Sequence, residues 1–276
     1  MSGTLHPPEM FADALGLEDR FCCRSYPSPF PESNRLVLGV GGVSSRFKLR
    51  SERMFAAIGQ RVEEVCAATP GNVACFFPSY EFMGNTLFHL KGKSIGKRIV
   101  AESRDLTKNE RDAIVCEMRR SAFTALMATI SGSFAEGVDF SDNLLSAVVV
   151  AGFPVSPPSP ELEATRALLE RKLGTRKADL YSQTYPAVSR VLQAAGRAIR
   201  SETDRAAIVL LDDRYFLPSV AAAFPDGFRV RGCQSLRQEL DAFFVPNERP
   251  AEPGPREDHG PRTSGLGARG SSPFPG

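Results

Sequence analysis

Gln193, Arg197 and Arg200 stand four and three residues apart in the stretch QAAGRAIR. If this stretch is helical, at about 100° per residue they share one side. Val188, Val191, Leu192, Ala195 and Ile199 then cluster on the other. A guanidinium is permanently charged, planar and forked, which suits it to phosphate oxygens. Two readings stand. The pair is an arginine finger that spreads charge on a transferring phosphoryl group, or it is a solvated charged face. Gly196 costs a helix roughly 1 kcal/mol relative to alanine, so its presence leads us to expect a close approach by another backbone or a ligand.

Three further stretches carry polar groups suited to anions. In SGSFAEGVDF, Gly132 and Gly137 would let backbone amides approach a phosphate or a sugar. Glu136 and Asp139 would then bind ribose hydroxyls, or position water or a partner arginine; the plain alternative is a strand-to-helix turn with surface acids. FFPSYEF runs from a buried-type strand into Pro78, Ser79 and Tyr80. That hydroxyl pair can bond a backbone phosphate, or Tyr80 can lie half-buried with its hydroxyl wet. In SSRFKLRSER, an extended backbone would put Arg46, Lys48 and Arg50 on one side, where they would track a phosphate chain or guard a sheet edge.

Two other stretches mimic nucleotide motifs. KGKS (Lys91–Ser94) looks like the end of a phosphate-binding loop, but the position five residues before its glycine is Leu87, where that loop needs a second glycine. AIVLLDD looks like a strand ending on a magnesium-binding aspartate, but no nucleotide loop precedes it.

The elements that must position these residues follow from periodicity. Arg35–Val40, Asn72–Phe77, Ala122–Ile130, Ala147–Ala151 and Ala207–Leu211 read as strands. Met10–Leu17, Ser51–Ala68, Thr107–Arg120, a segment from Pro160 to Gly174, and Ala187–Arg200 read as helices, with a capping box at Thr107 and Glu110. The segment YPSPFPES reads as an extended connector. Strands alternating with long helices imply an α/β fold: a doubly wound, mostly parallel sheet with helices on both faces. Apolar runs such as AVVVA fit strands covered on both sides.

Composition bounds the rest. The 276 residues are 42% hydrophobic with a net charge of +2, which suits a globular chain with a sizeable core. The six cysteines include no CxxC pair, so a zinc or iron–sulfur site made by this chain alone is not expected. Cys75 and Cys116 read as small core hydrophobes. No apolar run approaches the roughly 20 residues of a membrane helix, so no membrane partner is expected and a reducing cytoplasm is the expected compartment. The last 30 residues hold 6 Pro and 6 Gly, a composition that cannot offset its ordering entropy and reads as a disordered tail. The expected organisation is a connecting segment over 1–34, one domain over 35–246 and the tail over 247–276.

Taken in order, FFPSYEF, SGSFAEGVDF, AVVVAGFPVSPPSPELEA and QAAGRAIRSETDRAAIVLLDDRY resemble the second motor lobe of XPD-like (DinG-related) superfamily 2 DNA helicases, with motifs IV, V and VI. SGTL (Ser2–Leu5) is similar to the end of motif III. The resemblance covers roughly Met1 to Phe244. It implies a RecA-like fold and ATP with magnesium held between two lobes. Arg197 and Arg200 match the motif VI arginines, and Gln193 their glutamine. Gly137, Asp139 and Glu136 match the motif V loop at the nucleotide, and Ser79 and Tyr80 match the motif IV contacts to single-stranded DNA. Closure of the lobes would ratchet the strand 5′ to 3′, in a motor of the kind DNA repair employs.

Ala135 stands where a serine is usual, which puts one hydroxyl contact in doubt. The phosphate-binding loop, DEAH-type magnesium box, iron–sulfur insertion and arch domain, all preceding motif III in the family, have no counterpart in these residues. The expectation is therefore the back half of a helicase, dependent on a first lobe that is supplied in trans or is missing from this chain, with split gene, truncated gene and separate subunit all open. The competing expectation is a non-catalytic lobe that holds nucleic acid or a repair partner. An RNA-directed motor is a third, which the spelling of the motifs disfavours.

Overall fold

The structure is a computed structural model. It describes residues 6–17, 21, 22, 24, 26 and 28–245, the side chain of Glu136 excepted. Ser2–Leu5, matched above to motif III, and the tail over 247–276 lie outside the described residues.

Seven strands form one sheet: β1 (Arg35–Val40), β2 (Asn72–Phe77), β3 (Arg98–Ala101), β4 (Thr124–Thr129), β5 (Leu145–Val150), β6 (Ala206–Leu211) and β7 (Arg231–Gly232). Their spatial order is β3-β4-β2-β5-β6-β1-β7, and every neighbouring pair is parallel. β2, β4 and β6 are buried at every residue, which is why they read as unbroken apolar runs.

Helices cover both faces. α1 (Pro8–Leu15), α2 (Glu52–Ala68), α3 (Tyr80–Phe88), α4 (Lys108–Arg120), α5 (Ser133–Glu136), α6 (Pro160–Leu173), α7 (Thr175–Asp179), α8 (Tyr185–Ala195), α9 (Pro218–Ala221) and α10 (Leu236–Phe244) follow in chain order. α2, α3 and α10 pack Ile58, Val62, Phe82 and Leu240 with Leu38, Cys75 and Val209 of the sheet. α4, α5 and α8 pack Met118, Phe134, Val188 and Val191 against Phe76, Leu126 and Val148 on the opposite face. Asp13 of α1 accepts hydrogen bonds from Lys177 of α7 (2.9 Å) and Tyr181 (2.6 Å), which ties α1 to the helix layer.

Local chemistry sets the helix ends. Ser51, Ser79, Thr107 and Ser159 are N-caps, and the Thr107–Glu110 capping box is present in full. Gly174, at φ 83, ends α6.

Three expectations need correction. α8 ends at Ala195, not Arg200; the chain tightens through N–H bonds from Arg197 to Ala194 and from Ala198 to Ala195. Arg197 therefore sits on the turn over 196–198 and Arg200 in the irregular chain just after it, rather than on a helix face. Arg46–Arg50 is not extended: Phe47–Leu49 is a 3-10 turn, so Arg46, Lys48 and Arg50 do not line up as on a strand. Cys116 is exposed on α4, whereas Cys75 is buried.

Candidate functional site at the strand ends and the α8 turn

Because all neighbouring strands are parallel, their carboxyl ends share one edge, and the loops after β1, β2, β5 and β6 meet there. Gly152, at φ +117, marks the junction. A Cβ on it would lie 2.5 Å from Ser45 Cβ and 3.1 Å from Pro78 Cγ. Only glycine tolerates both that backbone and that closeness.

Asp212 holds the junction together from beneath. Its fully buried carboxylate accepts from the N–H groups of Ser45 (2.7 Å), Phe153 (3.2 Å) and Arg214 (3.0 Å). It also accepts from the Ser45 hydroxyl (3.0 Å) and from the Arg214 guanidinium (2.8 Å). Burial pushes this carboxyl up, but Arg214 and the backbone donors outweigh it and hold the group below the usual carboxylate range. The aspartate of AIVLLDD thus faces a guanidinium. The Arg214 guanidinium in turn lies over the Phe153 ring, 5.2 Å from its centroid.

The predicted strand-binding residues stand around this junction. Ser79 is half-buried and its hydroxyl caps α3, accepting from Phe82 N–H at 3.2 Å. Tyr80 is half-buried beneath Arg104, whose guanidinium carbon is 5.1 Å from the ring centroid. Arg46 and Lys48 are exposed on the loop that Ser45 anchors.

The motif V stretch has its own buried carboxylate. Glu102, just past β3, accepts from Thr129 N–H (2.9 Å), Ser133 N–H (2.8 Å) and the Ser133 hydroxyl (2.9 Å). It fixes the turn between β4 and α5. The stretch does not stay at the strand ends: it continues into buried Val138, which packs in the core with α8, and exposed Asp139.

There it meets the α8 turn. Arg197 donates to the Val138 carbonyl at 2.9 Å. Arg200 forms an ion pair with Asp139, with the two side chains 35% and 62% exposed. Asp204, nearly buried, accepts from the Arg200 and Ser201 N–H groups, both at 2.8 Å. Burial raises its pKa, the backbone donors lower it, and the net direction is down. Gln193 is exposed on α8, and Gly137 is exposed at the end of α5. The side chain of Glu136 lies outside the described residues.

Thus the structure joins Arg197 and Arg200 to Val138 and Asp139, and separately gathers the Ser45, Pro78 and Gly152 loops. No backbone from another element of this lobe approaches Gly196 among the described residues. The nearest atoms to an added Cβ are the Leu192 and Gln193 carbonyls of its own turn, at 3.2 and 3.7 Å. Sequence reasoning missed Glu102, Asp204 and Ser45 as positioning groups, and it set Asp212 aside. Glu102, Ser45 and Asp212 have partners 27 to 167 residues away, which no local pattern marks, whereas Asp204 bonds residues three and four positions before it.

A parallel sheet with helices on both faces and loops gathered at its carboxyl ends defines a doubly wound α/β domain. Comparison with known proteins gives its family. The helicase C-terminal domain model matches residues 62–231, and the chain belongs to that family. It is 30% identical over 276 aligned residues to the ATP-dependent DNA helicase DDX11 of Mus musculus, covering 88% of this chain and 30% of the relative. The ATP-dependent DNA helicase chl1 of Aspergillus niger is also 30% identical, over 73% of this chain and 27% of its own length. The chain therefore spans under a third of these curated relatives. The solved structure XPD_APO superposes with a TM-score of 0.65 at 23% identity, over 84% of this chain and 47% of that one. No helix among the described residues is long and apolar enough to cross a membrane.

Proposed function

We propose that this lobe is the second half of an ATP-dependent 5′ to 3′ DNA motor, with residues 35–246 as its motor domain. It supplies arginine fingers to a nucleotide site shared with a first lobe, on this or another polypeptide, and contacts single-stranded DNA at its strand ends. The observation that carries the reading is the convergence of Arg197 and Arg200 with Val138 and Asp139, two stretches about 60 residues apart in sequence.

The donor set fits a triphosphate with its magnesium. Two guanidiniums meet the motif V stretch, Arg197 at the Val138 carbonyl and Arg200 at the Asp139 carboxylate, and Gln193 and Gly137 are exposed on α8 and at the end of α5. A bound nucleotide would supply the transferring phosphoryl group. Arg197 and Arg200 would neutralise charge that develops on it, with the exposed Gln193 amide as a further donor. The Asp139–Arg200 pair is solvent-accessible, and such pairs contribute about 1 kcal/mol or less, so a phosphate can displace the carboxylate. Ser79, Tyr80, Arg46 and Lys48 would hold the strand.

A second reading draws on the same pair: with Arg200 engaged by Asp139, the lobe binds nucleic acid or a repair partner without hydrolysis. The test is ATP turnover by this chain mixed with an XPD-like first lobe that carries the phosphate loop and DEAH-type box. The motor reading expects negligible turnover by this chain alone and turnover by the mixture that falls on the order of 10³-fold in R200A. Strand binding with no effect on the first lobe's turnover favours the second reading. Turnover by the pure chain that R200A abolishes contradicts the shared site.

A further inference from the structure

Phe47 is a large side chain left in water. It is 82% exposed, the most exposed of the large hydrophobic residues described. Forgoing its burial gives up roughly 1.5–3 kcal/mol, and no local disorder accounts for it. The Phe47–Leu49 turn is closed by N–H bonds from Leu49 to Arg46 (2.9 Å) and from Arg50 to Phe47 (3.2 Å). Ser45, two residues before it, is bonded to the buried Asp212.

The ring is also held by a cation. The Arg50 guanidinium carbon lies 5.4 Å from the Phe47 centroid and 5.3 Å from that of Phe82. Phe82 is wholly buried and meets Phe55 edge-on at 5.1 Å. Arg50 Nε reaches the Ser45 carbonyl at 3.3 Å. Arg50 therefore bridges the exposed ring to the helix that Ser79 caps. Arg46 and Lys48 flank the ring, both exposed, and neither side chain has a hydrogen bond or ion pair among the described residues. The nearest acid along the chain, Glu52, pairs with His89 at 2.9 Å.

We propose that Phe47 is a stacking platform for a base of single-stranded nucleic acid, with Arg46 and Lys48 engaging the phosphates on either side. The chemistry is that of sequence-tolerant strand binding: an aromatic face for a base, and cations for the backbone. The choice of occupant rests on charge. An apolar ring between two unpaired cations suits a polyanion with planar bases better than an apolar protein surface. The proposal rests on the reading of this edge as the strand site, to which it adds a residue and a contact of a different kind.

The chain contains no tryptophan, so F47W introduces a single indole reporter at the position in question. The experiment titrates oligo(dT) into the full chain at low salt. It follows anisotropy for wild type, F47A and F47W, and indole emission for F47W, with folding checked by circular dichroism. The expected results are quenching of the F47W indole, and roughly 10-fold weaker binding by F47A with an unchanged salt slope, since no charge is removed. If wild type binds while F47A binds equally and the indole is not quenched, Phe47 is no platform and the edge reading survives. If wild type fails to bind any oligonucleotide, the edge reading fails and takes the platform with it. Quenching by an added first lobe but not by DNA makes the ring a lobe contact and overturns the proposal.

Discussion

The Glu102 carboxylate fills the space where Gly132 would carry a side chain: a Cβ on Gly132 would lie 2.2 Å from Glu102 Oε2 and 2.5 Å from Thr129 Oγ1. The two residues, 30 positions apart, build one turn. The glycine's φ is −87, so its backbone is ordinary and the constraint is room.

That relationship predicts coupling between two small substitutions. G132A must displace a buried carboxylate from its donors. E102A removes the acceptor of the Thr129 and Ser133 N–H groups. Each should lower unfolding free energy by about 1–3 kcal/mol. The double variant E102A/G132A, which relieves the clash, should lose less than the sum of G132A and E102A measured singly. Urea unfolding of the four proteins measures this; strict additivity would contradict the shared turn.

Asp212 predicts a dependence on pH. Its carboxyl is more acidic in the folded chain than in the unfolded one, where it titrates near about 3.9. The stabilisation is therefore complete above that value and drains away as pH falls through the folded value. D212N removes the charge and leaves the Arg214 guanidinium, 11% exposed, without its counter-ion. Near neutral pH it should cost about 3–5 kcal/mol. Below pH about 4 the gap to wild type should narrow. Thermal melts from pH 7 down to 3 report both, and a gap that widens on acidification would refute the assignment.

The sheet was legible where burial is two-sided. β1 and β2 have the bounds expected from their apolar runs, because a strand covered on both faces admits few other residues. β3 was missed because it is four residues long, lies at the edge and is mostly exposed. α8 was drawn too long because Ala198 and Ile199 are buried from a turn and so continue the helical period. Arg46–Arg50 alternates basic and apolar residues like an edge strand, yet Asp212 fixes Ser45 and the chain coils. The residues that bear charge at the site were visible by type. Glu102 and Asp212 fix the loops around them across 27 to 167 residues, which short spacings do not reveal, whereas Asp204 takes two backbone N–H groups only three and four residues before it.

Ser79 has two roles that substitutions can separate. Its hydroxyl caps α3, so S79A should cost about 1 kcal/mol of stability. S79D retains an N-cap acceptor and gains from the helix dipole, yet it places a negative charge where a phosphate is proposed to sit. S79D should therefore fold at least as stably as S79A and bind oligo(dT) more weakly than S79A does. Equal binding by the two, measured at low salt, would move the strand away from the start of α3.

The Arg200–Asp139 pair predicts the largest separation between stability and activity. Both side chains are substantially exposed, and water and salt screen such a pair, so R200A and D139N should each change unfolding free energy by less than about 1 kcal/mol. The fold at this turn is set instead by Asp204, whose carboxylate takes the Arg200 and Ser201 N–H groups. D204A should thus be the destabilising change, by about 1–3 kcal/mol, because it leaves two backbone donors unpaired. In the two-lobe turnover assay the order should invert. R200A should lose on the order of 10³-fold, whereas D204A, which keeps the guanidinium but loosens its backbone, should lose less. R200K should not restore wild-type turnover, since an ammonium lacks the planar fork. Turnover losses that merely follow the stability losses, with D204A worst and R200A near wild type, would show that Arg200 is only a surface residue of this lobe.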